Sequence, residues 1–88
     1  MALQEQKFKV DYDNLILIYI LWDDAEADNT WKDAKERCKV KECKTIGFLL
    51  HEDERQVVVT NTLAYDMDIS GDIAIPKGMV KEIKRYKI

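Results

Sequence analysis

The chain has 88 residues, of which 47% are hydrophobic and 35% are charged, and its formal net charge is −3. This length and composition predict one folded domain, residues 1–88, and exclude a disordered chain. The negative charge argues against a protein that binds nucleic acid without regard to its sequence. A core this small favours an oligomer, because a second copy adds buried surface.

The first ten residues, MALQEQKFKV, contain no continuous apolar run. We therefore expect no signal peptide. The longest apolar run, Leu15 to Trp22, is far shorter than the roughly 20 residues of a membrane helix, so we expect no membrane contact and a cytoplasmic location. Residues 1–13 alternate weakly around Phe8, Val10 and Tyr12, which predicts either an edge strand or a loose N-terminal arm.

The segment LILIYILW, residues 15–22, predicts the first long strand because it is short and rich in β-branched and aromatic residues. Both faces of this strand are apolar, whereas a strand with one wet face would alternate. We therefore expect both faces to be covered, either by the element that follows or by another subunit.

The segment DNTWKDAKERC, residues 28–38, predicts a short helix that begins at one of its first three polar residues. Its basic residues lie toward the C-terminal end, where the helix dipole favours them. Trp31, Ala34 and Cys38, with Arg37 at their side, would share one face and pack on the barrel.

The segment TIGFLLHEDERQVVVTNTLAY, residues 45–65, has the pattern of a β-hairpin whose connection is the charged run 52–55. A glycine inside a strand marks a bend or a close approach of two backbones, and we expect one of these at Gly47.

The segment GDIAIPKGMVKEIKRY, residues 71–86, contains the single proline of the chain. Pro76 lacks an N–H group and fixes φ, so it ends one strand, and PKGM predicts a tight 3₁₀-like turn before a final strand. A strand, one 3₁₀ turn and a short strand are typical of the closing segment of SH3-like and Sm-like barrels. The predicted fold is therefore mainly β, a small SH3-like or Sm-like barrel with one short helix inserted after the first long strand.

Four short patterns carry a family resemblance: LW-D at 21–23, W-D at 31–33, TIGFLL at 45–50 and IPKGMVKEI at 75–83. In these patterns the chain resembles small proteins encoded by tailed phages and prophages. Sm proteins place their helix before the first strand, so the predicted helix position favours an SH3-like description. The resemblance implies a non-enzymatic protein of the host cytoplasm that binds host components, such as the cyclic nucleotide signals of bacterial immunity.

The sequence offers little for catalysis, and we expect no enzyme, no cofactor and no metal site. Ser70 and His51 are the sole serine and histidine, and neither lies in a catalytic motif. Cys38 and Cys43 are too far apart in sequence for a CxxC pair, which predicts two free thiols. The acidic run 23–28 lacks the spacing of a calcium loop and is read as a solvated connection.

Charge alternates in blocks of −5, +3, −5 and +4 over residues 1–31, 32–44, 45–72 and 73–88. The basic last block contains a tyrosine, and cations beside an aromatic ring can hold a phosphate and stack a base. The alternative is an edge strand that lysines protect from aggregation. The candidate ligand-binding residues are Trp31, His51, Asn61, Lys77, Lys81, Arg85 and Tyr86.

Three functions remain open at this point. The first is a self-associating, non-enzymatic protein that binds an anionic, nucleotide-like ligand. The second is a protein–protein module that inhibits or adapts a host or virion protein. The third is an Sm-like RNA-binding protein, whose affinity would fall steeply with salt.

Overall fold

The computed structural model describes residues 11–25, 29–66 and 68–88. This part of the chain forms five β-strands and three short 3₁₀ turns. The strands are β1 (Ile16–Asp24), β2 (Lys41–Glu52), β3 (Gln56–Leu63), β4 (Ile69–Pro76) and β5 (Val80–Lys87). The 3₁₀ turns are Tyr12–Asn14, Ala34–Glu36 and Lys77–Met79.

All five strands lie in one antiparallel sheet with the order β4-β3-β2-β1-β5. The prediction of a mainly β protein is therefore confirmed. The sheet is open, because no pairing joins its two edge strands, β4 and β5, within the described residues. The structure thus supports a small β fold without establishing a closed barrel. The prediction for residues 1–10 lies outside the described residues.

The predicted helix over residues 28–38 is wrong for the part that the structure describes. Residues 29–40 contain one 3₁₀ turn, Ala34–Glu36, which begins after Asp33. The Asp33 carboxylate accepts a hydrogen bond from the N–H of Lys35, at 3.0 Å. Such local bonds compete with a helix, and so short a helix needs apolar packing to form. Trp31 is fully exposed and supplies none.

The core lies on one face of the sheet, which we call the inner face. On β1 the even-numbered residues Ile18 and Ile20 are fully buried, and Trp22 is nearly so. The Trp22 indole N–H donates to the Thr45 hydroxyl, at 2.9 Å, so its polar atom is satisfied inside the core. The core residues are Ile18, Ile20, Trp22, Val57, Val59 and Ile75.

The predicted hairpin is confirmed, with β2 and β3 joined by residues 53–55. Gly47 lies where their backbones approach closely: a Cβ atom added there would lie 2.6 Å from the Thr60 carbonyl oxygen. A side chain would not fit between the two backbones, so glycine is required at this position, as expected from the sequence. Register between the two strands shifts between Leu49 and His51, a bulge that bends β2 further.

The chain crosses from one edge of the sheet to the other through the Lys77–Met79 turn, which confirms the prediction made from Pro76. A flat five-stranded sheet would hold its edges roughly 19 Å apart. The four residue steps from Pro76 to Val80 span at most about 15 Å. The sheet must therefore curl, which brings the end of β4 toward the start of β5. The Lys77 N–H donates to the Arg55 carbonyl at 2.8 Å and fixes the turn against the hairpin connection.

Candidate functional site

An exposed apolar surface lies on the side of the sheet opposite the core. The odd-numbered side chains of β1 point there and are flanked by residues of β2 and β5, as the pairs Tyr19–Ile46 and Tyr19–Lys84 show. Ile46 is 63% exposed and Tyr86 is 51% exposed. We call this surface the outer face, and it consists of Leu17, Tyr19, Leu21, Ile46, Phe48, Lys84 and Tyr86.

The described residues give the outer face little cover. Apart from its two neighbours in the sheet and the Lys77–Met79 turn, no strand or turn in the described part of the chain packs closely on β1. Residues 29–40 are exposed apart from the half-buried Cys38, so this segment does not supply the cover that we expected for the second apolar face of β1. Among the described residues, nothing therefore keeps a partner from that face.

A shallow groove of about 190 Å³ runs along the outer face between Tyr19, Ile46 and Tyr86. The Lys84 ammonium group lies 5.7 Å from the centre of the Tyr19 ring, within reach of a cation–π contact. The same ammonium group lies 3.7 Å from a Glu82 carboxylate oxygen. The groove is thus lined by apolar and aromatic side chains, with one cation on its rim.

A second cluster forms where two predicted ligand residues, Lys77 and Arg85, meet the carboxylate of Glu52. Lys77 Nζ lies 2.8 Å from Glu52 Oε2. Arg85 Nη2 donates to both carboxylate oxygens, at 2.6 and 2.5 Å. The hydrogen bond from Arg85 and then that from Lys77 hold the pKa of Glu52 below its ordinary value. The structure therefore brings Lys77 and Arg85 together, and it does so around an acid.

Lys81 lies toward the other end of β5 and belongs to a different cluster. Its ammonium group lies 2.8 Å from Glu42 Oε2 and 4.0 Å from Asp23 Oδ1. The hydrogen bond between Lys81 and Glu42 raises the pKa of the lysine and lowers that of the glutamate. Tyr86 is adjacent to Arg85 in sequence but lies on the outer face, because neighbouring strand residues point to opposite sides.

His51 lies near the end of β2 and contacts the hairpin connection. Its Nε2 lies 2.8 Å from Asp53 Oδ2, and Asp53 Oδ1 accepts from the N–H groups of Arg55 and Gln56, at 2.8 and 3.0 Å. The His51 hydrogen bond, followed by the one from the Arg55 backbone, holds the pKa of Asp53 well below its usual range. Asp53 was not singled out from the sequence, although an aspartate that opens a tight connection is a recognised signal for such a turn.

A cleft of about 310 Å³ lies beside His51 and Glu52. Its walls come from the Tyr12–Asn14 turn, the start of β1 and the end of β2. They combine polar and apolar side chains, and the lining residues are Asp11, Asn14, Leu15, Ile16, Leu49, Leu50, His51 and Glu52.

Trp31 and Asn61 lie apart from both clusters. Trp31 is fully exposed in the segment between β1 and β2. Asn61 is exposed on β3, where its Oδ1 accepts from the Thr62 hydroxyl at 3.0 Å. The Asn61 side chain also lies against Gly71, whose φ of +71° no ordinary side chain adopts readily. The structure describes no contact between these two residues and Lys77, Arg85 or Tyr86.

The described residues contain no group of three or more histidine, cysteine or acidic side chains that could hold a metal ion. Cys38 and Cys43 are free and half-buried, as two unpaired thiols. Glu52 and Glu42, which organise the two basic clusters, were not singled out from the sequence. Their partners lie 25 to 39 residues away along the chain, so no local pattern marks them.

A scan against models of protein families found no match, and searches of curated proteins and of solved structures found none either. In the part of the chain that the structure describes, no helix has the length and apolar character needed to cross a membrane.

Proposed function

We propose that this chain is a non-enzymatic binding protein that self-associates through its outer face and holds an anionic, nucleotide-like ligand. The proposed fold is a small barrel of the SH3-like or Sm-like type, supported by the three-residue crossover that draws the two sheet edges together. The sequence resemblance supports a more specific role, in which a phage-type protein sequesters an immune signal in the host cytoplasm.

The observation that carries self-association is the outer face itself. Its apolar and aromatic side chains come from three adjacent strands, and Ile46 and Tyr86 remain more than half exposed. Contiguous exposed apolar surface in a small protein commonly marks an interaction site.

A second copy is the occupant that we propose for the outer face. The charged side chains around its apolar centre balance one another: the carboxylates are Asp23, Glu42 and Glu82, and the ammonium groups are Lys44, Lys81 and Lys84. A face without net charge does not repel an identical face, and a two-fold axis through its centre lets the same apolar residues of both copies meet.

The size of the face predicts the strength of this dimer. Three strands and about six residues along β1 give roughly 300 Å² per copy, or about 600 Å² in total. Stable interfaces bury about 1,200–2,000 Å², so the dimer is weak and its population depends on concentration.

Light scattering tests this proposal. The chain concentration should run from roughly 5 to roughly 500 µM, a range that includes a dissociation constant in the micromolar range. We expect the mass to rise with concentration from the 10.3 kDa of one chain toward twice that value. Ile46→Glu should abolish the rise, because it places a charge at the centre of the face. Val40→Glu is the matched control, because Val40 is 65% exposed but precedes β2 and is not one of the outer-face residues named above. A constant monomer mass for the unmodified chain would refute self-association.

The second candidate function is an inhibitor or adaptor of a host or virion protein, and the same exposed face favours it, since foreign proteins also bind such surfaces. In that case Ile46→Glu would abolish partner binding while the free chain stays monomeric at every concentration. Sm-like RNA binding has less support, because carboxylates lie beside the cations Lys77, Lys81 and Arg85 and would repel the extended backbone of a long polyanion.

A further inference from the structure

We infer that Lys77 and Arg85 form a binding site for a terminal phosphate group, and that the Glu52 carboxylate occupies this site while no ligand is bound. This inference rests on the ligand-binding part of the proposed function and names its site and chemistry. The internal carboxylate then acts as a competitor that a phosphate must displace.

The two cations are held in place by the fold. Lys77 sits in the crossover turn, whose backbone is tied to Arg55, and Arg85 sits on β5 opposite Ile18. The two side chains converge on one acceptor, within 2.8 Å for Lys77 and 2.6 Å for Arg85. A lysine and an arginine aimed at one point form an arrangement that suits the oxygens of a phosphate.

The charge of the site favours a phosphate over the carboxylate. Lys77 and Arg85 carry two positive charges, and Glu52 neutralises one of them. A terminal phosphate monoester carries about −1.5 to −2 at neutral pH and therefore matches the pair more closely. A phosphate also offers three oxygens, whereas Glu52 receives both of its Arg85 contacts from the single nitrogen Nη2.

A cleft adjoins this site through Glu52, which lines the cleft and also contacts both cations, and it is the space that we assign to the rest of the ligand. Its volume of about 310 Å³ is at the lower end of small-molecule sites. Asn14 and His51 place hydrogen-bonding groups on its wall, and Leu49 and Leu50 add apolar surface. These groups suit the edge and the face of a nucleobase.

The acids around the cleft limit the class of ligand. Asp11 and Glu52 line it, and Asp53 lies next along the chain. A long polyanion such as RNA would meet this negative charge along its backbone. A mononucleotide with one terminal phosphate places its charge on Lys77 and Arg85 and its base in the cleft. The inferred ligand is therefore a small nucleotide with a free phosphate end.

Calorimetric titration of the full chain with inorganic phosphate and with adenosine 5′-monophosphate tests the inference. We expect Glu52→Gln to bind phosphate about tenfold more tightly than the unmodified chain, because the charged competitor is gone. Glu54→Gln is the matched control: it removes the same charge two residues away, from the exposed hairpin connection, and none of the ion pairs found among the described residues involves Glu54. Adding Arg85→Gln to Glu52→Gln should abolish the gain.

Binding by Glu52→Gln that is no tighter than binding by Glu54→Gln would overturn the inference, and an equal gain in both would reveal a general charge effect. If Glu52→Gln does not fold, the NMR signal of the Glu52 side-chain carboxyl carbon in the unmodified chain provides the readout. It should shift as phosphate is added, and a constant signal would contradict the site. Light scattering on the same samples gives the mass and so reports self-association separately. A failure of the phosphate site can therefore be told apart from a failure of self-association.

Discussion

Replacing Gly47 by alanine tests the close crossing of β2 and β3 more directly than any other single change. The new Cβ atom would lie 2.6 Å from the Thr60 carbonyl oxygen and 3.2 Å from its carbon, well inside normal contact. Both atoms belong to the β3 backbone, which also pairs with β4. β3 therefore cannot move away from β2 without disturbing its pairing with β4. Overpacking of this kind costs about 1–3 kcal/mol, and we expect the upper part of that range.

Gly78→Ala is the matched control, because nothing lies within 4 Å of a Cβ atom at that position. There the substitution should be neutral or slightly stabilising, by about 0.4–1 kcal/mol, since alanine restricts the unfolded chain. Urea unfolding followed by tryptophan fluorescence measures both, because Trp22 is buried and becomes hydrated on unfolding. Equal stability of the two variants, within about 0.5 kcal/mol, would show that β2 and β3 are not this close.

Three further predictions use the same unfolding assay. Pro76→Ala should cost on the order of 1 kcal/mol through the freedom gained by the unfolded chain, whereas Val59→Pro removes a ladder hydrogen bond from a central strand and should cost about 3 kcal/mol or more. The reverse order would contradict the strand positions. Thr60→Val should cost about 1 kcal/mol, because the buried Thr60 hydroxyl donates to the Ser70 carbonyl at 2.7 Å; no loss would show that bond to be dispensable. The lowered pKa of Asp53 contributes stability that is present above its unfolded pKa of 3.8 and is lost as the pH falls below it. Asp53→Asn should therefore flatten the acid side of the stability profile, and an unchanged profile would refute the role of that turn.

The closing half of the fold could be predicted from the sequence because its signals are local. Pro76 cannot continue a strand, and the apolar pieces on both sides of it have the residue types of strands. The position of Gly47 within an apolar run likewise predicted a close approach of two strand backbones. In each case a single residue restricts the backbone conformation, so the neighbouring sequence is sufficient to predict the local structure.

The helix was predicted wrongly because helical spacing alone does not make a helix stable. Trp31, Ala34 and Cys38 have the required spacing, but three apolar residues give a short helix little to bury. Asp33 instead satisfies the backbone of a 3₁₀ turn. The candidate site was predicted in part. The basic residues near the C-terminal end are conspicuous in the sequence, whereas their pairing with Glu52 and Glu42 depends on how a curled sheet aligns distant strands.

The position of β1 between β2 and β5 has a consequence for synthesis. Ile16 pairs with Lys87, so one side of β1 waits for a strand made roughly 70 residues later. During translation, β1 to β4 can form while the second edge of β1 stays unpaired and its apolar side chains stay open to other nascent chains. Such a chain is prone to misassembly until β5 emerges, and slow pairing of distant strands prolongs that interval. Loss of β5 would therefore turn β1, whose side chains are apolar on both faces, into an unpaired edge of the described sheet.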